Sequence, residues 1–258
     1  MHLSKVLLAS AVLVGGCFAN ATQPLAEVVG KAVSVKTTVT GEKGTLKRAD
    51  PVSRNEKITT NASGLGHFLF GDGAKLAVGP NSSIVIDEYV LGSGRQVQKL
   101  ALNATQGAFR WISGKSPSSA YEIATPVGTL GVRGTALDIY LRNGVAAMVL
   151  LNGSAQWCNA GRCVEVNRPC QFIIAQGGSN ISDPQQVSTS GLSQLGGASA
   201  FYFFTNYERL HPAFRTAQAD CGMGGRLRTK RNADTPDRPE RSSRGGRDRG
   251  NEGGGQVD

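Results

Sequence analysis

From about residue 24 to residue 180 the chain alternates short apolar–polar runs with Gly, Asn and Asp. Val33-Ser34-Val35-Lys36 opens the pattern, and Gly66-His67-Phe68-Leu69-Phe70 leads into Gly71-Asp72-Gly73. Lys75-Leu76-Ala77-Val78 returns from that turn, and Ser83-Ile84-Val85-Ile86-Asp87 follows Gly79-Pro80-Asn81. An Asp-Gly or Asn-Gly step between alternating runs predicts a hairpin, because both residues tolerate positive φ. Arg142-Asn143-Gly144 and Leu151-Asn152-Gly153 repeat the device on either side of the apolar run Val145 to Leu150. Turn signals at this spacing predict an all-β domain of short-strand hairpins, a sandwich, barrel or solenoid rather than a βαβ fold. Its extent is read as residues 22–187.

Beyond Val187 the pattern changes. Ser188 to Ala200, rich in Ser and Gly, reads as a linker. Phe201-Tyr202-Phe203-Phe204 with Tyr207, Leu210 and Phe214 is the densest aromatic stretch, expected as a short helical segment covering one end of the β domain within 188–221. An exposed docking patch is the alternative. From Gly222 to Asp258 there is little to bury, so a disordered tail is expected.

The N-terminus sets the compartment. One Lys, an apolar run from Val6 to Phe18, and Ala19-Asn20-Ala21 have the layout of a secretory signal peptide cleaved after Ala21. Processing at Cys17, within Val14-Gly15-Gly16-Cys17, is the lipoprotein alternative. No later stretch is long and apolar enough for a transmembrane helix. Export places the chain in an oxidising periplasmic or secreted environment, where Cys158, Cys163, Cys170 and Cys221 read as two disulfides with three possible pairings. Cys158 and Cys163 flank a tight Gly-containing loop, which favours a cross-hairpin bridge; Cys170 with Cys221 would then tie down the C-terminal segment. A zinc site fits the spacing less well, with His67 and His211 as the remaining imidazoles. The formal net charge of +9, outside the cytoplasm, points to anionic envelope polymers rather than nucleic acid.

Enzyme signatures are missing. Gly114-Lys115-Ser116 ends like a phosphate loop, but Phe109 stands where its first Gly belongs. No Gly-x-Ser-x-Gly elbow occurs, and no base is paired with a nucleophile. The reading is a non-enzyme without cofactor or metal.

Ile123-Ala124-Thr125-Pro126-Val127-Gly128-Thr129-Leu130-Gly131-Val132-Arg133-Gly134-Thr135 resembles the signature of the FecR family, a Thr-Pro-x-Gly step followed by Val-Arg-Gly-Thr. Phe70 to Leu76 with Pro80-Asn81-Ser82, Leu102 to Gly107 with Phe109-Arg110-Trp111, and Val145 to Gly153 resemble further elements of that family in order, over roughly residues 28 to 160. The motif residues Thr125, Pro126, Gly128, Val132, Arg133, Gly134 and Thr135 are read as a fold signature. Pro126 suits a strand start or bulge, and the glycines at every third position suit tight bends. Arg133 is expected partly buried, its guanidinium bonded to carbonyls of a neighbouring turn; recognition of an anionic ligand is the alternative. Well-understood family members are transmembrane regulators that couple a periplasmic sensing domain to a sigma factor. This chain resembles a stand-alone secreted kind without a sigma-binding segment. The resemblance therefore implies a periplasmic binding or signalling module with an envelope or membrane protein partner.

Overall fold

A computed structural model describes residues 27–92, 96–216 and 221–222. The expected signal peptide, including Cys17, and the tail beyond Gly222 lie outside the described residues. Fifteen strands run in chain order: β1 Val28–Lys36, β2 Val39–Gly41, β3 Gly44–Thr45, β4 Pro51–Ser53, β5 Lys57–Thr60, β6 Leu65–Phe70, β7 Lys75–Val78 and β8 Ser83–Leu91. They continue as β9 Val97–Ile112, β10 Tyr121–Thr125, β11 Gly128–Arg142, β12 Val145–Asn159, β13 Arg162–Val166, β14 Gln171–Ala175 and β15 Gln185–Gln186. The fold is all-β, with one short helix, α1 Tyr202–Thr205, and a few 3-10 turns.

Three long strands organise the molecule because each pairs differently along its two halves. The C-terminal half of β9 lies between β7 and the C-terminal half of β11, while its N-terminal half lies between β8 and, in parallel, β10. The early part of β12 pairs with β11 and β14, its late part with β11 and β13. One layer is therefore β15-β14-β12-β11-β9-β7-β6-β1-β4, the other β13-β12-β11-β10-β9-β8-β5-β2-β3, and the sheet folds on itself where β9, β11 and β12 cross between them.

Strand alternation sends one set of side chains into the space between the layers. Phe68, Leu76, Phe109, Trp111, Ile139 and Met148 from the first layer meet Ile86, Leu102, Ile123, Leu130, Trp157 and Val164 from the second in one core. The outward set of the first layer is also apolar: Leu65 and Ala77 on one side, Ala147, Val149, Leu151, Phe172 and Ile174 on the other. Residues 192–216 cover this outer face. Leu192, Leu195, Phe201 and Phe204 pack over β12 and β14, and Phe203, Leu210 and Phe214 over β6 and β7. The aromatic segment thus lies across a sheet face rather than an end. Ser188–Ala200, expected as a spacer, contributes Leu192 and Leu195 to the packing.

The hairpin from β11 to β12 turns at Asn143-Gly144, with φ of 51° and 73°, the left-handed pair a type I′ turn needs. Asn152-Gly153, expected as a second hairpin, instead lies inside β12, because the strand crosses between layers there. No helix of the described residues is long and apolar enough to cross a membrane.

Candidate functional site

The Thr125–Thr135 motif does two local jobs. At its start, Pro126 and Val127 form the two-residue turn from β10 to β11, a correction to the strand start or bulge expected of Pro126. The Thr125 hydroxyl donates to the Gly128 carbonyl at 2.7 Å and accepts from the Val127 N–H, so the side chain staples the turn. Gly128 has φ of 127°, and a Cβ there would lie 2.5 Å from the Cys158 carbonyl oxygen. Trp157 donates its indole N–H to the Val127 carbonyl, locking the turn onto β12.

At its end the motif builds the corner where β11 changes layer. The pairing with β12 slips between Arg133 and Ala136. Gly134 sits in the slip at φ 58°, and Gly153 opposite it is so close that a Cβ would lie 2.4 Å from the Gly134 carbonyl oxygen. Thr135 is 1% exposed. Its hydroxyl accepts from the Arg133 N–H at 2.7 Å and donates to the Ser154 carbonyl at 2.5 Å. The Thr135 N–H donates to the Ser113 hydroxyl, which also accepts from the Trp111 indole. Val132 points into the core. The corner is thus wired to a buried tryptophan.

Arg133 is the exception, and here the expectation is corrected. It is exposed, and its guanidinium makes no hydrogen bond or ion pair with the described residues. The backbone amide holds the residue in the corner through Thr135, so the side chain is presented, not used, by the fold. Arg133 lies on the outer face of the second layer, where register places Gly131 between Glu122 and Gln156, and Gln156 beside Glu165. Glu122, Gln156 and Glu165 are all exposed. Glu88 and Lys99 pair at 2.6 Å farther along the same layer. No chain segment covers this polar face among the described residues.

The structure pairs Cys158 with Cys163 across the β12–β13 hairpin, at a Cα separation of 4.1 Å, and Cys170 with Cys221 at 5.3 Å. The first bridge adjoins the Pro126-Val127 turn, since Thr129 registers with Cys158. The second fastens the far end of the covering segment to the start of β14. Among the described residues no three His, Cys, Asp or Glu side chains gather as a metal site would require.

Three polar clusters had no sequence signal. Arg110 and Asp138, on the outer face of the first layer, form a two-point ion pair at 2.6 and 2.7 Å, both side chains at most 1% exposed. Burial pushes the Asp138 carboxyl up, and the paired guanidinium opposes that shift. Phe203 stacks over Arg110, 5.6 Å from guanidinium carbon to ring centre. Asp72, expected simply as a turn residue, accepts the Ala74 N–H and the Tyr121 hydroxyl, and Tyr121 in turn accepts from the Gly114 and Ser116 N–H groups. Burial, with Asp72 alongside, pushes Tyr121 up to about 12. The Gly114-Lys115-Ser116 stretch is therefore a clamp loop. His67 and His211, 144 positions apart, meet where the His211 N–H donates to the His67 Nε2 at 3.2 Å. Burial, then His211 and Lys36, lowers His67 to about 3, so it stays neutral and its Nε2 accepts from the covering segment.

Comparison with known proteins agrees with the motif. The model of the FecR protein family matches residues 56–156, a narrower span than the 28 to 160 expected. Two crystal structures of a candidate anti-sigma factor from Parabacteroides distasonis ATCC 8503 have similar backbones, each at a TM-score of 0.41, with 10% and 11% identity. The similarity covers 54% of this chain and 65% and 64% of theirs, so this chain spans less than two thirds of those proteins. No curated protein matches the chain. The turn, the corner and the strands between them lie within residues 56–156, the span that matches the FecR protein family model.

Proposed function

We propose that this chain is an extracytoplasmic signalling module that recognises a protein partner through the bare outer face of its second layer, with Arg133 at the contact. The exposure of Arg133 carries the reading. Val132 is buried in the core and the Thr135 hydroxyl is bonded on both sides, while the Arg133 side chain is held out without a partner among the described residues. A planar guanidinium so placed suits two-point recognition of a carboxylate on another protein. Arg is also among the residues enriched at the energetic centres of interfaces.

Two further observations support an extracytoplasmic setting. Both cysteine pairs are oxidised, as in proteins of oxidising compartments. The signal-peptide layout of residues 1–21 agrees with the same compartment. Attraction of anionic polymers through the basic surface and tail is the alternative; the tail's share, from Arg226 onward, lies outside the described residues, and the placement of Arg133 favours the protein-partner reading.

Site-specific photo-crosslinking in cells tests it. A crosslinker at Gln156 or Glu122 should yield one discrete protein adduct, and the same crosslinker at Glu208 on the covering segment should not. Equal adducts from both faces, or none from the bare face, would overturn the proposal.

A further inference from the structure

The exposed large hydrophobic side chains of the described residues are Val28, Val90 and Leu91, at 60%, 36% and 51% exposure. Val28 and Leu91 come from two distant strands yet border one feature. A groove of about 510 Å³ opens between the start of β1 and the end of β8, walled by Val29, Pro51, Leu69 and Phe70, with Val28 and Leu91 at its rim. The Tyr89 ring closes its floor as part of the main core. Isolated exposed apolar residues are ordinary, but a cluster bordering an apolar groove marks a contact surface.

The charges around the groove say what kind. Lys31 stands on its wall, and Arg48 precedes the wall residue Ala49. Arg54 donates its backbone N–H to the Glu27 carbonyl next to Val28, and Lys47 completes the set. All four are exposed, and none has an ion pair among the described residues. Of the carboxylates near this β1–β4 side, Asp50 is engaged by the Lys47 N–H at 2.7 Å, Glu56 by the Ser53 N–H at 2.7 Å and Asp72 by the Ala74 N–H and the Tyr121 hydroxyl, while Glu27 stands at the entry to β1. On the β8 side Glu88 is neutralised by Lys99, and Asp87 remains. An apolar rim backed by unpaired cations complements a surface that is apolar beneath and anionic above. This is also the edge at which the chain enters the domain, with Glu27 following the 26 residues that precede it.

We propose that the groove edge is a membrane-docking surface, and that its partner is the face of a bilayer containing anionic phospholipid. Val28 and Leu91 enter the boundary between headgroups and acyl chains, while Lys31, Lys47, Arg48 and Arg54 contact phosphates. Partial insertion of a few apolar side chains together with a small cationic set gives reversible binding that depends on lipid charge. The Arg133 face is built on β10, β11 and β12, away from this edge, and so stays open to a protein partner.

The test is sedimentation of the full purified chain with vesicles of phosphatidylethanolamine and phosphatidylglycerol, against vesicles of phosphatidylcholine alone. Binding is expected to the anionic vesicles and to be at least about tenfold weaker to phosphatidylcholine. The double variant Val28→Asp, Leu91→Asp changes only exposed positions and should lose anionic-vesicle binding by about tenfold or more. A second variant, Leu91→Trp, should show a blue-shifted fluorescence component on vesicle addition, as its indole leaves water. Failure of the wild-type chain to bind anionic vesicles would overturn the proposal. So would a double variant that binds as well as wild type, which would assign attraction to the basic residues beyond Gly222, or an unshifted Leu91→Trp spectrum.

Discussion

The two outer faces of this folded sheet differ more than the two layers do. Outside the first layer, Ala147, Val149, Phe172 and Leu65 are buried beneath the segment 192–216, with an ion pair and a histidine enclosed among them. Outside the second layer, Glu122, Gln156, Glu165 and Arg133 meet solvent with nothing laid across them among the described residues. The contrast separates what holds the molecule together from what it offers. The covering segment has little regular structure of its own, one four-residue helix and short 3-10 turns. Its order therefore comes from tertiary anchors, namely aromatic side chains, a histidine contact and the Cys170–Cys221 bridge. The bare face needs no anchors because the paired strands β10 to β13 themselves fix it.

Substitutions on the two faces should accordingly diverge, and the largest effect belongs to the buried pair. Asp138→Ala leaves the Arg110 charge enclosed without its carboxylate and should destabilise the fold by about 3–5 kcal/mol, read as a lowered denaturant midpoint. A loss below ~1 kcal/mol would mean that the covered face opens easily. Phe203→Ala removes the ring over Arg110 and a buried anchor of the segment, and should destabilise by about 3 kcal/mol, seen by the same titration. Replacing Cys170 and Cys221 together by Ser should destabilise by about 2–4 kcal/mol, since the bridge closes a loop with a sequence separation of 51. Limited proteolysis should then cut between residues 188 and 216 first.

A smaller, pH-dependent effect comes from His67. Its native pKa, about 3, lies below the ordinary 6.5. Between those values the unfolded chain binds a proton that the native one does not, so stability falls as pH drops from about 6.5 toward 3. His67→Phe should flatten that part of the stability–pH curve, and an unchanged slope would show that the covering segment does not enclose this ring.

Much of the architecture was legible in the sequence. Asn143-Gly144 and, through Gly161, the Cys158–Cys163 loop announce their hairpins by residues that accept left-handed φ. Asn152-Gly153 carries the same signature but lies within a strand. The glycine is required there by the approach of Gly134, a contact set by another strand and not by local sequence. The covering of the first layer was half legible. Phe201 to Phe214 showed that something must be buried, but not that a whole sheet face would receive it. Arg110 with Asp138 and His67 with His211 could not be found, since strand register and segment docking unite residues 28 and 144 positions apart. Arg133 was legible as a motif member but not as exposed. Flanking apolar and Gly residues suggest burial, yet strand alternation after the buried Leu130 and Val132 sends the side chain outward, and the register slips only after Arg133, which keeps Thr135 inside.

The most direct test of this division is Arg133→Glu, read in two ways on the same protein: its melting temperature, and the yield of the partner adduct from a crosslinker at Gln156. An exposed, unpaired side chain should change stability by no more than about 0.5 kcal/mol, while adduct yield should fall to background. A retained adduct, or a collapse in melting temperature with the adduct lost, would contradict the account by making Arg133 part of what holds the fold.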